Sequence, residues 1–179
     1  MSRPVKMVFL DAATVGNVSN MAEISSLGDY VSYESTDPAL RVERIRRHNV
    51  VITNKAVIDH DIMEACPELE LICVTATGMN NVDLDCAAQK GITVKNVAGY
   101  STESVVQCTF AMLFYLLHSS RYYDDFVKSG QYSASHMFTH ISREFWELND
   151  KNFGIIGMGT IGRRVADVAS AFGVKVFYY

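Results

Sequence analysis

Short apolar runs alternate with amphipathic segments along the first half of the chain. Runs rich in Val and Ile and bounded by polar or turn residues predict strands at 5–10, 30–33, 50–53, 69–75 and 92–95. The segments between them predict helices at 37–47, 59–65 and 83–90. Strands that alternate with helices favour a mainly parallel sheet that is covered on both faces. Residues 1–100 are therefore predicted to form an α/β domain of the flavodoxin-like type, with about five strands.

The pattern changes near Ser101, which can cap a long helix whose first turn contains Glu103. The segment Glu103–His118 is apolar on nearly all sides, which predicts a helix buried between domains or between subunits. Residues 121–150 are aromatic, polar and weakly periodic, which indicates a helix followed by an extended arm. An arm that covers a partner surface and an ordinary surface excursion fit this segment equally well.

The most specific pattern stands near the end of the chain. The apolar run Phe153–Ile156 leads into the sequence Gly157-Met-Gly-Thr-Ile-Gly162, and a helix-period segment and a second apolar run, Val174–Tyr178, follow. A strand, a glycine turn, a helix and a strand make the unit that binds the pyrophosphate of a dinucleotide. A glycine-rich turn in another kind of α/β protein is the alternative, and the flanking segments favour the dinucleotide site.

Each glycine of this motif has its own predicted role. Gly157 lets the strand turn sharply, Gly159 lets the backbone approach a phosphate, and Gly162 lets the helix pack closely on the strand. The free N–H groups near Thr160 and Ile161 then face the pyrophosphate, whose negative charge the helix dipole favours. The candidate cofactor-binding residues are Gly157, Met158, Gly159, Thr160, Ile161 and Gly162.

NAD is the predicted cofactor, and the sequence does not separate it from NADP. The acidic residue that holds the adenine ribose of NAD usually follows the glycines by about 20 residues. That position falls at or just beyond Tyr179. Residues 101–179 are therefore predicted to be an incomplete NAD(P)-binding domain that contains the first βαβ unit of a Rossmann fold.

Composition and charge narrow the class of protein. The 179 residues are 49% apolar and carry a net charge of −4, which argues against nucleic acid as the main partner. The longest apolar stretch, at 105–117, is too short to span a bilayer. Four cysteines without C-x-x-C spacing and no visible signal peptide predict a cytoplasmic protein with reduced thiols. His136 and His140 stand four residues apart without an evident third ligand, so no metal site is predicted.

Three motifs occur in a fixed order along the chain: Ala76-Thr-Gly-Met-Asn-Asn-Val-Asp-Leu-Asp-Cys-Ala-Ala, then the segment from Gly91 to Leu113, then Gly154-Ile-Ile-Gly-Met-Gly-Thr-Ile-Gly. This order resembles the D-isomer-specific 2-hydroxyacid dehydrogenases, and the resemblance extends from Val5 to Tyr179. Within that family, the stretch Tyr100-Ser-Thr-Glu-Ser-Val and the region of Gln107 look most like glycerate dehydrogenase and hydroxypyruvate reductase members.

The resemblance implies a substrate domain at 1–100 and an NAD(H)-binding domain at 101–179, on either side of a cleft. In the family, backbone amides bind the substrate carboxylate in the loop that here reads Thr77-Gly78-Met79. Tyr100 resembles a position that lines the substrate pocket in some members. The alternatives are that Gly78 belongs to an ordinary tight turn and that Tyr100 is an aromatic residue packed at a hinge.

The sequence departs from the family pattern in two ways. Gln107 and Cys108 replace an acid and a histidine that many members have. The catalytic arginine, glutamate and histidine of the family follow the glycine motif, and by that pattern none falls within 1–179.

We therefore expect the N-terminal part of an NAD(P)-dependent D-2-hydroxyacid dehydrogenase that is inactive alone and forms a homodimer through residues 101–150. A non-catalytic dinucleotide-binding or dimerisation module and an NADH-sensing regulator are the alternatives. The sequence does not indicate which 2-hydroxy acid is the substrate.

Overall fold

The computed structural model describes residues 4–179 of the chain. These residues divide into two compact units, of which the first ends at Ala98 and the second comprises Gly99–Tyr179. No helix within 4–179 is long and apolar enough to cross a membrane.

The first unit is built on a five-stranded parallel sheet with the strand order β2-β1-β3-β4-β5. Its strands are β1 (Lys6–Phe9), β2 (Asp29–Ser32), β3 (Val50–Thr53), β4 (Leu71–Val74) and β5 (Thr93–Asn96). Its α-helices are α1 (Met21–Ser25), α2 (Arg41–Ile45), α3 (His60–Ala65) and α4 (Leu84–Gln89). The mixed α/β fold with a parallel sheet, predicted from the alternation of strands and helices, is confirmed.

The core of the first unit lies between this sheet and its helices. Val8, Val51 and Ile72, on three neighbouring strands, are fully buried in one cluster with Ile45 and Met63 from the helices. Because all five strands are parallel, the loops that follow β1, β3 and β4 meet at one edge of the sheet. This edge is where polar side chains can face a ligand while the sheet holds their backbone in place.

Two short elements between β1 and β2 were not predicted from the sequence. They are a 3₁₀ turn at Ala12–Val15 and helix α1, and neither contains a buried residue. The helix predicted at 37–47 is a 3₁₀ turn, Pro38–Leu40, that continues into α2. Asp37 caps it, since its side chain accepts a hydrogen bond of 2.8 Å from the Ala39 N–H.

The second unit contains one parallel strand pair and four helices among its described elements. These are α5 (Thr102–Leu117), α6 (Ser120–Lys128), α7 (Gln131–Ala134), β6 (Asn152–Ile155), α8 (Thr160–Ala171) and β7 (Lys175–Tyr178). Helix α5 packs on α8, where Val106 and Phe110 form a buried cluster with Val165 and Ala169. The strand, glycine turn, helix and strand predicted from the sequence are all present in this unit.

Helix α5 is less buried within this chain than its sequence suggests. Val106 and Phe110 are its buried residues, whereas Met112, Tyr115 and Leu116 are 58%, 49% and 74% exposed. Within this chain, α5 is therefore buried on one side only, whereas its sequence predicts burial on nearly all sides. A continuous apolar surface remains on the other side of α5.

The arm after α6 is more ordered near its start than the sequence suggests. The arm that the sequence predicts to be extended contains the short helix α7. Further along, the His140 ring stacks on the Phe126 ring at 3.7 Å, and its Nε2 lies 2.7 Å from the Tyr122 hydroxyl. His140 thus fastens the arm to α6. Within residues 4–179, no group of three His, Cys, Asp or Glu side chains could hold a metal ion.

Candidate functional site

The glycine turn connects β6 to α8 across residues 156–159. Gly157 has a φ of +91°, a backbone conformation that favours glycine, and its N–H donates to the Tyr179 carbonyl at 2.9 Å. Tyr179 in turn donates its N–H to the Ile155 carbonyl at 3.0 Å, so the start of the turn is tied to the end of β7. The sharp change of direction predicted at Gly157 is therefore observed.

The other two glycines of the motif differ in what surrounds them. A Cβ atom at Gly162 would overlap the carbonyl oxygen of Gly157 and would lie 3.5 Å from Cγ2 of Ile155. A Cβ at Gly159 would meet no heavy atom within 4 Å. Close packing of the helix on the turn therefore requires glycine at 162, whereas Gly159 leaves open space in front of the helix.

The first turn of α8 exposes hydrogen-bond donors. Gly159 is the N-cap residue and provides no side-chain cap, and the Arg163 N–H makes a 3.0 Å bond to the Gly159 carbonyl. The N–H groups of Thr160, Ile161 and Gly162 come earlier and have no acceptor within the helix. Arg163 also donates from Nε to the Met158 carbonyl at 3.0 Å, which holds the turn in place. This helix start can bind an anion of the size of a phosphate.

The loop after β4 is anchored on both sides of Gly78. The Thr77 hydroxyl donates to the Val97 carbonyl at 3.2 Å, and Asn96 donates its side-chain N–H to the Thr77 carbonyl at 2.7 Å. Met79 packs against the core, while Gly78 is exposed, and a Cβ atom at Gly78 would meet no heavy atom within 4 Å. Gly78 therefore presents bare backbone at the carboxyl edge of the sheet.

Tyr100 lies outside this loop. It belongs to the second unit, just before α5, and is 63% exposed.

A pocket of about 230 Å³ lies next to Gly78, at the carboxyl ends of β3 and β4. It is lined by Asn54, Lys55, Ala76, Gly78, Asn80 and Asn81. Three carboxamides, one ammonium group and exposed backbone suit a small, polar and negatively charged ligand. A larger depression of about 530 Å³ is lined by the consecutive residues Ile141–Trp146 and therefore belongs to the arm alone.

Asp11 shapes this pocket, although it was not predicted from the sequence as a site residue. The residue follows β1 and is only 6% exposed. Its Oδ1 accepts the Asn54 N–H at 2.8 Å, and its Oδ2 accepts the N–H groups of Lys55 at 2.6 Å and Ala56 at 2.9 Å. The Thr53 hydroxyl donates to the same Oδ2 at 3.2 Å. One buried carboxylate thereby fixes the backbone of the loop after β3.

A signal for these residues exists in the sequence. Asp11 and the pair Asn54-Lys55 are polar residues placed directly after apolar runs that predict parallel strands. The carboxyl ends of such strands share one edge of the sheet, where ligands of open α/β folds bind. This rule therefore points to the loops after β1 and β3, as well as to the loop after β4 that the family resemblance indicates.

The three cysteines of the first unit are not activated as thiolates. Burial raises the pKa of the Cys66, Cys73 and Cys86 thiols, which favours their protonated form at neutral pH. We therefore find binding groups at the sheet edge and at the glycine turn, rather than thiol chemistry.

Comparison with known proteins gives one consistent result. The family model described as D-isomer specific 2-hydroxyacid dehydrogenase, catalytic domain, matches residues 9–172. A hydroxypyruvate reductase from Blautia hydrogenotrophica is 34% identical over 159 residues, which cover 87% of this chain and 49% of that protein. A glycerate dehydrogenase from Methylorubrum extorquens is 31% identical over 175 residues, which cover 97% of this chain and 55% of that protein.

A solved structure points to the same family as these relatives. The D-lactate dehydrogenase from Aquifex aeolicus, complexed with NAD and lactic acid, matches with a TM-score of 0.79 and 27% identity. That match covers 97% of this chain and 51% of the D-lactate dehydrogenase. The chain thus spans about half the length of the curated relatives it matches. Because the family model covers most of the sequence and relatives above 30% identity cover nearly all of it, the chain belongs to the D-isomer-specific 2-hydroxyacid dehydrogenase family.

Proposed function

We propose that this chain is the N-terminal part of an NAD-dependent oxidoreductase that interconverts a 2-oxo acid and a D-2-hydroxy acid. The observation that carries the proposal is the open start of α8, where Gly159 leaves space and no side chain caps the helix. The names of the related hydroxypyruvate reductase and glycerate dehydrogenase support the reaction class. The NAD complex of the related D-lactate dehydrogenase supports the cofactor.

The glycine turn fits a dinucleotide for a physical reason. The N–H groups of Thr160, Ile161 and Gly162 would donate to the pyrophosphate, and the dipole of α8 would stabilise its charge. Gly157, Met158 and Gly159 would form the turn beneath it, in which the two glycines leave the backbone without side chains. When bound, NAD supplies the hydride acceptor and NADH the hydride donor.

The loop Thr77-Gly78-Met79 would bind the substrate carboxylate through its backbone N–H groups. The hydrogen bonds that anchor Thr77 and the packing of Met79 hold this loop rigid, and Gly78 offers backbone without steric obstruction. We assign Tyr100 to the lining of the substrate pocket, on the strength of the family resemblance alone. The first unit would thus act as the substrate domain and the second as the nucleotide domain.

We further propose that the isolated chain is inactive because the catalytic arginine, glutamate and histidine lie outside it. A hydride transfer to a carbonyl needs a group that polarises the carbonyl and one that delivers a proton to its oxygen.

We also propose a cytoplasmic location. The cysteines of the described chain are free thiols, as is usual for proteins of the cytoplasm.

Assay of the full-length protein tests this function. We expect oxidation of NADH with at least one of hydroxypyruvate, glyoxylate and pyruvate, followed at the absorbance of NADH, and D rather than L stereochemistry in the product. The chain 1–179 should bind NADH weakly and show no turnover. Absence of NADH oxidation by the full-length protein with every 2-oxo acid would refute the proposal. NADH binding without turnover would favour the NADH-sensing regulator. Dimerisation without NADH binding would favour the non-catalytic dimerisation module.

We also propose that α5 forms a homodimer interface. Met112, Tyr115 and Leu116 expose apolar surface on one side of a helix whose other side is buried. Replacing Leu116 with Glu should weaken the dimer about 30-fold or more, because it places a charge in a desolvated contact. Sedimentation velocity measures the change.

Leu27→Glu is the matched control for this variant, since Leu27 is 68% exposed and lies in the first unit. A dimer that Leu116→Glu does not weaken would contradict the assignment of α5 to the interface. A full-length protein that is a monomer would contradict it too.

A further inference from the structure

Two adjacent arginines in the first half of α8, Arg163 and Arg164, bind different partners. Arg164 donates from Nε to the Glu103 carboxylate at 2.9 Å, and this ion pair joins α8 to α5. Arg163 takes part in none of the ion pairs observed within residues 4–179, and its Nε donates to the Met158 carbonyl at 3.0 Å. One arginine is therefore bound to a neighbouring helix, whereas the other is bound to the glycine turn.

The position of Arg163 in the helix explains why its side chain reaches the turn. Side chains of a helix point back toward its first residue, and Arg163 is the fourth residue of α8. Its main-chain N–H already binds the Gly159 carbonyl at 3.0 Å. Its side chain binds the preceding carbonyl, that of Met158, to which no backbone N–H of residues 4–179 donates. Arg163 thus holds two successive carbonyls of the turn.

The bond from Arg163 to Met158 also fixes the direction of the Gly159 N–H. The peptide bond between Met158 and Gly159 is trans, and the C=O and N–H of a trans peptide point in opposite directions. Because the Met158 carbonyl faces the Arg163 side chain, the Gly159 N–H faces away from it. No acceptor for this N–H is observed within residues 4–179, and a Cβ atom at Gly159 would meet no heavy atom within 4 Å. An anion can therefore reach the Gly159 N–H.

We propose that Arg163 is a positioning residue of the cofactor site. By holding the Met158 carbonyl, it directs the Gly159 N–H to the pyrophosphate of NAD, as a fourth donor beside the three at the start of α8. Successive N–H groups of a turn form a concave site for anions. Without Arg163, the peptide can rotate and bring the Met158 carbonyl, its negative end, toward the pyrophosphate. This assignment rests on the proposed function and adds a residue outside the glycine motif.

Three replacements of Arg163 in the full-length protein distinguish the hydrogen bond to Met158 from the charge. Arg163→Met keeps neither, Arg163→Lys keeps the charge, and Arg163→Gln keeps an N–H donor as many bonds from Cα as the arginine Nε. We expect Arg163→Met to weaken NADH binding about tenfold, because the charge-assisted hydrogen bond from Gly159 to the pyrophosphate is lost. Arg163→Gln should restore most of the affinity, and Arg163→Lys should restore less than Arg163→Gln.

Fluorescence titration with NADH measures this affinity without turnover. A titration with ADP-ribose, which carries the pyrophosphate without the nicotinamide, should show the same order of variants. In the enzyme assay, the KM for NADH should rise in Arg163→Met, while kcat and the KM for the 2-oxo acid change little. Arg164→Met is the matched control, because it removes the same charge from the next position, where the arginine binds Glu103 instead of the turn. It should bind NADH within about twofold of the wild type, since exposed ion pairs contribute little.

The results separate this proposal from the proposed function. If the wild-type protein binds NADH and Arg163→Met binds it as well as Arg164→Met does, the positioning role is overturned and the oxidoreductase assignment stays intact. Recovery of the affinity in Arg163→Lys but not in Arg163→Gln overturns it too, because Arg163 would then act through its charge. If the wild-type protein binds neither NADH nor ADP-ribose, the proposed function fails, and the role of Arg163 fails with it. Thermal unfolding of each variant checks that its fold is retained.

Discussion

Replacement of Gly162 by alanine is expected to destabilise the second unit. The new Cβ would overlap the carbonyl oxygen of Gly157, which is backbone and cannot rotate away as a side-chain tip can. Overpacking of this kind costs about 1–3 kcal/mol, and we expect the upper part of that range. Urea unfolding measures the change in the free energy of unfolding, and NADH titration should show weakened binding because the start of α8 must shift.

Gly159→Ala makes the complementary test. Its Cβ meets no atom within 4 Å, so stability should fall by less than about 1 kcal/mol, the cost of a poorer N-cap. The affinity for NADH should nevertheless fall, because the methyl group enters the space through which a pyrophosphate approaches the backbone. Gly154→Ala is the control, since Gly154 also has open space but lies in β6, before the turn.

The alanine variants of these three glycines distinguish an effect on packing from an effect on NADH binding. Gly162→Ala should lower both stability and NADH affinity, Gly159→Ala mainly affinity, and Gly154→Ala neither. Undiminished NADH binding by Gly159→Ala would show that the turn does not hold the pyrophosphate.

The sequence predicted the features that depend on local chemistry. The strand Val50–Thr53 was predicted with the bounds that the structure has, because a run of β-branched residues flanked by polar ones is a strong strand signal. The turn at Gly157 was predicted because a sharp change of direction requires a backbone conformation that glycine adopts easily, and Gly157 has a positive φ angle. Helix α1 was not predicted, because none of its residues is buried and its sequence therefore lacks the periodic apolar positions that indicate a helix.

The features that were missed depend on which strands are neighbours. Asp11 binds residues 54–56, more than 40 positions away along the chain. That contact follows only from the strand order, in which β1 lies next to β3. Likewise, a helix that is apolar on all sides does not reveal which side will be covered, and packing against α8 decides this for α5.

Replacement of Asp11 by alanine should be the most destabilising change in the first unit. The variant leaves the N–H groups of Asn54, Lys55 and Ala56 without their acceptor, at a site that is nearly closed to water. Each lost hydrogen bond to a charged group costs about 1.5–3 kcal/mol, so a total loss of about 3 kcal/mol or more is expected after relaxation. Urea unfolding measures this loss, and hydrogen exchange of the three amides locates it.

Asp11→Asn separates the charge from the shape of this side chain. An amide fits the same space, but its N–H₂ group must then face at least one backbone N–H that the carboxylate now accepts. We expect a loss between those of the wild type and Asp11→Ala. Asp59→Ala is the control, because Asp59 accepts a single N–H, from Ile62, as the cap of α3, a bond worth about 1 kcal/mol. An Asp11→Ala protein as stable as Asp59→Ala would contradict the central role of this carboxylate.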